Sequence, residues 1–519
     1  MRFAHSLVLL WELAGTALAH PQRVGPLEQN GLRSDPIRAE AIKRAFEHSW
    51  QGYLNYTFPH DTLHPLSHGF EDDRSGWGVT AVDALSTAII MGETRIVDQI
   101  LDHVAKVDFT TTSRANDQLS LFETNIRYLA GLISGYDLLQ GPMRNMGLDQ
   151  RKVDLLLSQA ESLADTLSFA FDTPSGIPDP VLTLNPARRI SGSSHNSIAE
   201  VGTLVLEWTR LSDLTRNPKY AKLVQKAESY LLRPSGSPEP FPGMVGTTVS
   251  TANGQFLDSD GGWSGGTDSF YEYLIKMYQY DPVAFAEYRD RWILAADSTI
   301  SHLASHPSSR RDLTYLLQYS GRNLDPVSSH LASFAGGNFI LGGVILGEEK
   351  YKKFGLDLTN SYFNNYIQTP AGIGPEIFRW QDPSKTKNGG AAPQSQRDFY
   401  KKAGFWSAAG TYILRPETLE SVYYAYRMTG DKKYQDMAWR AFESINRVCR
   451  VEGGFAELAD VMQSNGGGYI DQMQSFWLAE TLKYLYLIFG PESSVQLQLQ
   501  GGARSEFVFN TEAHPLRVR

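Results

Sequence analysis

The chain has 519 residues, a hydrophobic share of 42% and a formal net charge of -9, with a pI near 5.8. That composition supplies a large core, and an acidic balance without a clustered basic face argues against a nucleic-acid partner. No run beyond the N-terminus reaches the roughly 18 apolar residues of a membrane span, and one cysteine, Cys449, leaves no internal disulfide to form.

The first residues read as a secretory signal, residues 1–19. Arg2 and His5 precede the apolar run Leu7-Val8-Leu9-Leu10-Trp11, and Ala17-Leu18-Ala19 supplies the small-x-small cleavage pattern, although Glu12 interrupts the run. Residues 20–35, rich in Pro, Gly and polar residues, read as an extended arm. The signal places the protein outside the cell or in the lumen of the secretory pathway, and the sequon Asn55-Tyr56-Thr57 is compatible with that route.

From 36 to the end the pattern is helical. Apolar residues recur at helical spacing near 36–52, 79–106, 119–140, 149–172, 196–213, 217–232, 268–280 and 283–305. They recur again near 328–346, 349–366, 398–412, 416–429, 433–447 and 471–489. Gly and Pro fall between these segments, and no change of composition marks a linker. Fourteen helices make seven pairs. A solenoid would show a fixed repeat, and none is found. Special residues sit at many separate helix starts and loops, so a single closed all-α barrel over 36–519, which would gather them at one mouth, is expected.

Four carboxylates stand out along the way. Glu123 lies three residues after Ser120, the spacing of a capping box, and four before Arg127, the spacing of an ion pair; alone it reads as structural. Asp268 follows the run Gly261-Gly262-Trp263-Ser264-Gly265-Gly266-Thr267 and precedes Ser269 and Glu272, again at capping-box spacing. The run lacks the Lys-Ser/Thr of a phosphate loop, and its Gly-x-Ser-x-Gly follows a segment too polar for the buried strand of a hydrolase elbow. Glu417 follows Pro416 at a helix start, where it complements the helix dipole. Glu480 is different: it shares a helix face with Met473, Phe476, Trp477, Tyr484 and Leu487, and a carboxylate buried there needs a partner or a cation.

The C-terminal stretch from Phe507 to Leu516 is polar where a tail should fray. It sets Thr511, Glu512 and His514 within four residues, and Pro515 is expected to end any strand. No Cys-x-x-Cys or His-Glu-x-x-His occurs, so zinc is disfavoured; hard oxygen donors favour calcium or magnesium. Cys449 reads as a small buried side chain.

Taken in order, these pieces resemble the class I α-1,2-mannosidases, glycoside hydrolase family forty-seven, over about 36 to 516. The resemblance runs through His60 to Ser67, Gly76-Trp77-Gly78, Phe122 to Arg127, Ala199 to Leu204 and Asp268 to Leu274. It continues through Gly372 to Glu376 and Arg415 to Thr418, and ends with Phe476 to Lys483 and the stretch around Thr511. It implies an (α/α)7 barrel with Ca2+ on the cavity floor, bound by Thr511 through its hydroxyl and carbonyl oxygens. It also implies an inverting mechanism with Glu123 as acid, Glu417 as base and Asp268 as a third carboxylate. Arg127, His330, Glu376, Arg415, Phe476, Glu480 and Glu512 are implied around the sugar and the metal's waters. The implied substrate is a high-mannose N-glycan, trimmed of terminal α-1,2-linked mannose by a monomer. The alternative is a catalytically weak relative that binds mannose glycans of misfolded glycoproteins. Three departures from the family pattern are Ser86 in place of Asp, Gln474 in place of Glu, and Ser333 where many members carry a disulfide cysteine whose usual partner lies near Tyr362.

Overall fold

Fourteen long helices among the described residues alternate between two layers. The computed structural model describes residues 31–519 apart from 387–389 and 503, so the expected signal and arm residues up to 30 lie outside the described residues. Outer helices are α1 (Pro36–Tyr56), α3 (Thr94–Val104), α5 (Gln150–Leu167), α7 (Lys219–Leu232), α9 (Ala286–Ser298), α11 (Glu349–Gln368) and α13 (Lys432–Val448). Inner helices are α2 (Val79–Met91), α4 (Ala130–Gln140), α6 (Val205–Thr215), α8 (Asp268–Tyr280), α10 (Ala335–Leu346), α12 (Glu417–Thr429) and α14 (Leu482–Phe489). The sequence dictates the layer. The outer α3 buries one stripe, Ile96, Val97, Ile100, Leu101 and Val104, whereas α2 is buried on every face except at Ile90.

Each inner helix touches the next around a ring, and α14 touches α2, so the ring is closed. Each inner helix also packs on an outer partner, and the partner of the last, α14, is the first, α1. A solenoid would leave two free ends; here the first and last helices form one pair. The expected (α/α)7 barrel is what forms. All of Leu32–Arg519 is one compact unit. No helix among the described residues is long and apolar enough to cross a membrane.

Two of the expected helices differ. Residues 79–106 form two antiparallel helices, because Gly92 takes φ +76° and caps α2 with its amide on Ala88 and Ile89. Apolar periodicity runs on through the break and hides it. The segment 398–412 is only a short helix, Arg397–Ala403, stopped at Gly404 with φ +86°. Residues Trp406–Ala409 then join a three-stranded antiparallel sheet with Ile377–Arg379 and Val327–Ser329. The two errors cancel, which is why the count of fourteen survives.

The C-terminus is a β-hairpin, Phe507–Phe509 against Pro515–Arg517, inside the ring. Pro515 opens the second strand rather than ending one, a place where its missing N–H costs no ladder bond. Ser134 of α4 donates to Pro515 O at 2.8 Å, Gln279 of α8 donates to Phe507 O at 3.2 Å, and Asp137 accepts from Arg517 N at 2.9 Å. Gln279 and Asp137 lie in the second halves of their helices, and Ser134 lies near the middle of its own. The hairpin therefore enters beside the C-terminal ends of the inner helices and points its loop toward their N-terminal ends.

Candidate active site

The inner helices begin at one mouth, and the special residues sit at those beginnings. Asp268 and Glu417 open α8 and α12. Arg127 lies on a π-helical turn, Thr124–Leu129, that leads into α4, and Glu480 on another, Trp477–Thr481, that leads into α14. Such turns offset side chains by a residue and recur at functional sites. Leu414 is held at φ +69° just ahead of Arg415, Pro416 and Glu417, a left-handed conformation that costs a non-glycine residue about 1–3 kcal/mol. Its carbonyl accepts from Thr481 Oγ1 at 2.7 Å, which ties this strained turn to the π-helical turn of Glu480.

A cavity of about 360 Å³ results, and it brings together nine of the eleven expected site residues: Glu123, Asp268, Glu417, Arg127, Arg415, Phe476, Glu480, Glu512 and Thr511. Glu376 and His330 are not in its wall. Glu376 grips Arg415, with Nε at 2.8 Å and Nη2 at 2.7 Å from its carboxylate, and His330 Nδ1 is 2.7 Å from Glu417 Oε2. Both stand one layer behind, orienting groups that face the cavity. Sequence reading left out three further carboxylates of the wall, Glu200, Glu272 and Glu420. Glu200 follows its capping serine, Ser197, at the spacing that made Glu123 look structural, and its place in the matching stretch Ala199 to Leu204 was the one signal that could have found it.

Eight carboxylates and two guanidiniums therefore share this wall. Arg127 is the most connected: Nε lies 2.7 Å from Glu123, Nη1 lies 3.4 Å from Asp83, and Nη1 also pairs with Glu512. Phe476 presents its ring to both guanidiniums, 5.6 Å from Arg127 and 6.0 Å from Arg415. Glu123 fills both structural roles expected of it, cap and ion-pair partner, since its amide also donates to Ser120 Oγ at 3.2 Å, and it stands in the cavity wall as well. The capping box expected at Ser269 is not formed; its hydroxyl is buried without a partner among the described residues, and Asp268 instead accepts from the Ser269 amide at 2.9 Å.

The crowding sorts the carboxyls. Burial pushes Asp268 up to about 6, Glu200 to about 7 and Glu420 to about 8. Burial and the neighbouring Glu512, Glu417 and Glu420 hold Glu480 well above the usual range, and burial does the same for Glu512 despite Arg127. Glu123 and Glu417 are the exceptions. Burial would raise them, but Arg127 with Arg74 at Glu123, and Arg415 with His330 at Glu417, outweigh it and hold both below the ordinary range.

Thr511 is half-buried at the hairpin loop, on the cavity floor. Five inner segments hold that loop. Lys483 Nζ donates to Ala513 O at 2.6 Å, Lys276 Nζ to Asn510 O at 3.4 Å, and Asn510 Nδ2 to Ile126 O at 3.1 Å. His514 is 2.9 Å from Ser86 Oγ and 3.3 Å from Asp83, and Asn510 Nδ2 is 3.0 Å from Glu207. Ser86 thus lies beneath the floor, not on it, and Gln474 likewise supports from outside, donating to Glu457 at 2.7 Å. Ser333, in the disulfide position, accepts from Thr418 Oγ1 at 2.9 Å. Among the described residues no three His, Cys, Asp or Glu side chains converge as direct metal ligands. The donors for a cation on this floor are the oxygens of Thr511, with Glu480 and Glu512 in the same cavity. That set suits a hard cation that keeps much of its water, as calcium can.

The sequence pattern of glycosyl hydrolase family 47 matches residues 45–518. The chain is 52% identical over 511 residues to the mannosyl-oligosaccharide alpha-1,2-mannosidase of Penicillium citrinum, covering 98% of this chain and 97% of that protein. It is 52% identical over 509 residues to mannosyl-oligosaccharide alpha-1,2-mannosidase 1B of Aspergillus oryzae, with the same shares covered. Among solved structures, the alpha-1,2-mannosidase from Trichoderma reesei superposes with a TM-score of 0.92 at 59% identity, covering 94% of this chain and 100% of that one. The chain belongs to glycosyl hydrolase family 47.

Proposed function

We propose that this protein is a calcium-dependent, inverting exo-α-1,2-mannosidase that removes terminal α-1,2-linked mannose from high-mannose N-glycans. One observation carries the reading: a dead-ended cavity whose wall holds eight carboxylates and two guanidiniums, with Thr511 presented on its floor by a buried hairpin. The relatives named above, alpha-1,2-mannosidases, support this choice of bond. Eight carboxylates packed around two fixed cations repel one another unless protons or a metal offset them. Thr511, with Glu480 and Glu512 in the same cavity, would hold calcium, which when bound would supply positive charge and bind sugar hydroxyls.

The chain's own residues divide the remaining work. Glu417, kept ionised by Arg415 and His330, takes a proton from the water that attacks the anomeric carbon. The glycosidic C–O bond breaks as the new C–O bond forms, and the leaving oxygen takes a proton from the opposite face. Glu123 is the expected donor, yet Arg127 and Arg74 hold it ionised. Asp268, raised to about 6, keeps its proton closer to neutrality and is the better reservoir for this step. Phe476 offers an apolar wall to the sugar ring, and its partners Arg127 and Arg415 stay fixed by Glu512 and Glu376. All of these groups come from one chain, so a monomer suffices, and the signal pattern of residues 1–19 supports a place in the secretory lumen or outside the cell.

Incubation with α-1,2-mannobiose and with a high-mannose glycan tests this reading. Release of free mannose, abolished by exhaustive chelation and restored by calcium, is expected. Binding of the glycan without release would favour the mannose-binding alternative and overturn the enzyme reading.

A further inference from the structure

The floor loop is organised from a residue that does not reach the cavity. Glu207, on α6, has no exposed surface. One of its oxygens accepts from the Tyr273 hydroxyl at 2.6 Å and from Asn510 Nδ2 at 3.0 Å. Each of those groups passes the constraint on. The Tyr273 hydroxyl accepts from the Thr511 amide at 3.2 Å. Asn510 Oδ1 accepts from the amides of Glu512 at 3.0 Å and His514 at 2.8 Å. Three backbone amides of one loop thus trace back, through two side chains, to a single carboxylate.

The direction of these bonds matters. A hydroxyl can turn, and with its proton aimed at anything else Tyr273 would not present a lone pair to the Thr511 amide. The Glu207 oxygen supplies the acceptor that fixes this rotor. Likewise, it holds the Asn510 amide group so that its oxygen faces the loop. A buried polar network of this kind is costly unless it specifies one arrangement, since an apolar side chain of similar size packs a barrel more cheaply. Ala513, at φ +57°, completes a loop conformation that the backbone does not choose unaided.

We propose that Glu207 is a positioning residue for the cation loop: through Tyr273 and Asn510 it sets where the oxygens of Thr511 stand, and so how tightly calcium is held. This rests on the reading of Thr511 as the metal's ligand. The test is calcium titration calorimetry of the full chain after chelator removal, with unfolding midpoints in chelator measured alongside. Tyr273→Phe removes one hydroxyl and leaves the Thr511 amide buried without an acceptor; calcium should bind about tenfold more weakly. Glu207→Leu should weaken binding by at least as much, and Glu207→Gln, which keeps an acceptor oxygen, should stay within about threefold of wild type. If the relay is real, Glu207→Leu with Tyr273→Phe loses little more than Glu207→Leu alone. A merely structural role would lower the unfolding midpoint in chelator and leave calcium affinity unchanged. Should Glu207→Leu not fold, Tyr273→Phe decides alone: wild-type affinity in that variant overturns the relay. A wild-type protein that binds no calcium would overturn the cation reading itself, and this inference with it.

Discussion

Replacing Arg127 with methionine removes a guanidinium that Glu123, Glu512 and Asp83 share. The Arg127 side chain is 8% exposed, Asp83 is 0% and Glu512 is 4%, so solvent screening offers little relief. Removing one partner of a buried pair costs about 3–5 kcal/mol, while methionine keeps most of the apolar stem against Phe476. Urea unfolding at pH 7 should show that loss as a lower midpoint with an unchanged slope. The pH dependence has a definite sign. Because Arg127 lowers the Glu123 carboxyl in the folded state, this pair stabilises above the unfolded carboxyl's value and is lost as pH falls through the lower folded one. The Glu123 share of the wild-type advantage should therefore be full at neutral pH and shrink below about pH 4.5. In the variant Arg74 alone opposes burial at Glu123, so that carboxyl rises from its wild-type position and the acid end of the stability profile moves upward in pH with it. An unfolding midpoint and a pH profile both equal to wild type would refute the electrostatic account of this wall.

Other outcomes follow from the same geometry. Thr511→Ala should weaken calcium binding and turnover together; activity that survives both the substitution and chelation would remove the metal from the mechanism. Glu417→Gln should cut kcat by at least about 100-fold with inhibitor binding retained, as expected for loss of a general base, and kcat near wild type would dismiss Glu417 from that role. Asp268→Asn should abolish the alkaline limb of the pH–rate profile, whereas the same result from Glu123→Gln, with Asp268→Asn leaving the limb intact, would return the proton to Glu123. Calcium affinity should fall as pH falls, by up to about tenfold per pH unit for each proton displaced, because Glu480 and Glu512 hold protons well above the usual carboxylate range; titrations that give one affinity from about pH 5 to about pH 8 would contradict this.

Much of the fold was legible because its signals are local. Apolar spacing marks the helices, and the distinction between stripe-buried α3 and all-round-buried α2 even marks the layer. The misread segments failed for local reasons too: Gly92 breaks a helix whose apolar period continues past it, and Gly404 stops one that Trp406–Ala409 follow as a strand. In the site, Glu480 was conspicuous by itself, as a carboxylate on an apolar face. Glu123 and Glu417 were not, since the roles of cap and ion-pair partner are ones they do fill. Only the resemblance separated the two readings. The floor was the least legible part. Glu207, Lys483, Lys276 and Asp83 each look like an ordinary misplaced polar residue until the hairpin, hundreds of positions away in three of the four cases, supplies the partner. Sequence spacing carries no record of such pairs. Likewise His330 and Glu376 could be assigned to the neighbourhood of the sugar, but not to the layer behind it, where they hold Glu417 and Arg415.

The central claim is that Glu417 activates water on the face of the sugar opposite the leaving oxygen, within a cavity that calcium completes. Proton NMR of the mannose first released from α-1,2-mannobiose, recorded before mutarotation, tests it most directly. The account predicts the β anomer, formed only with calcium present; an initial α anomer would contradict it.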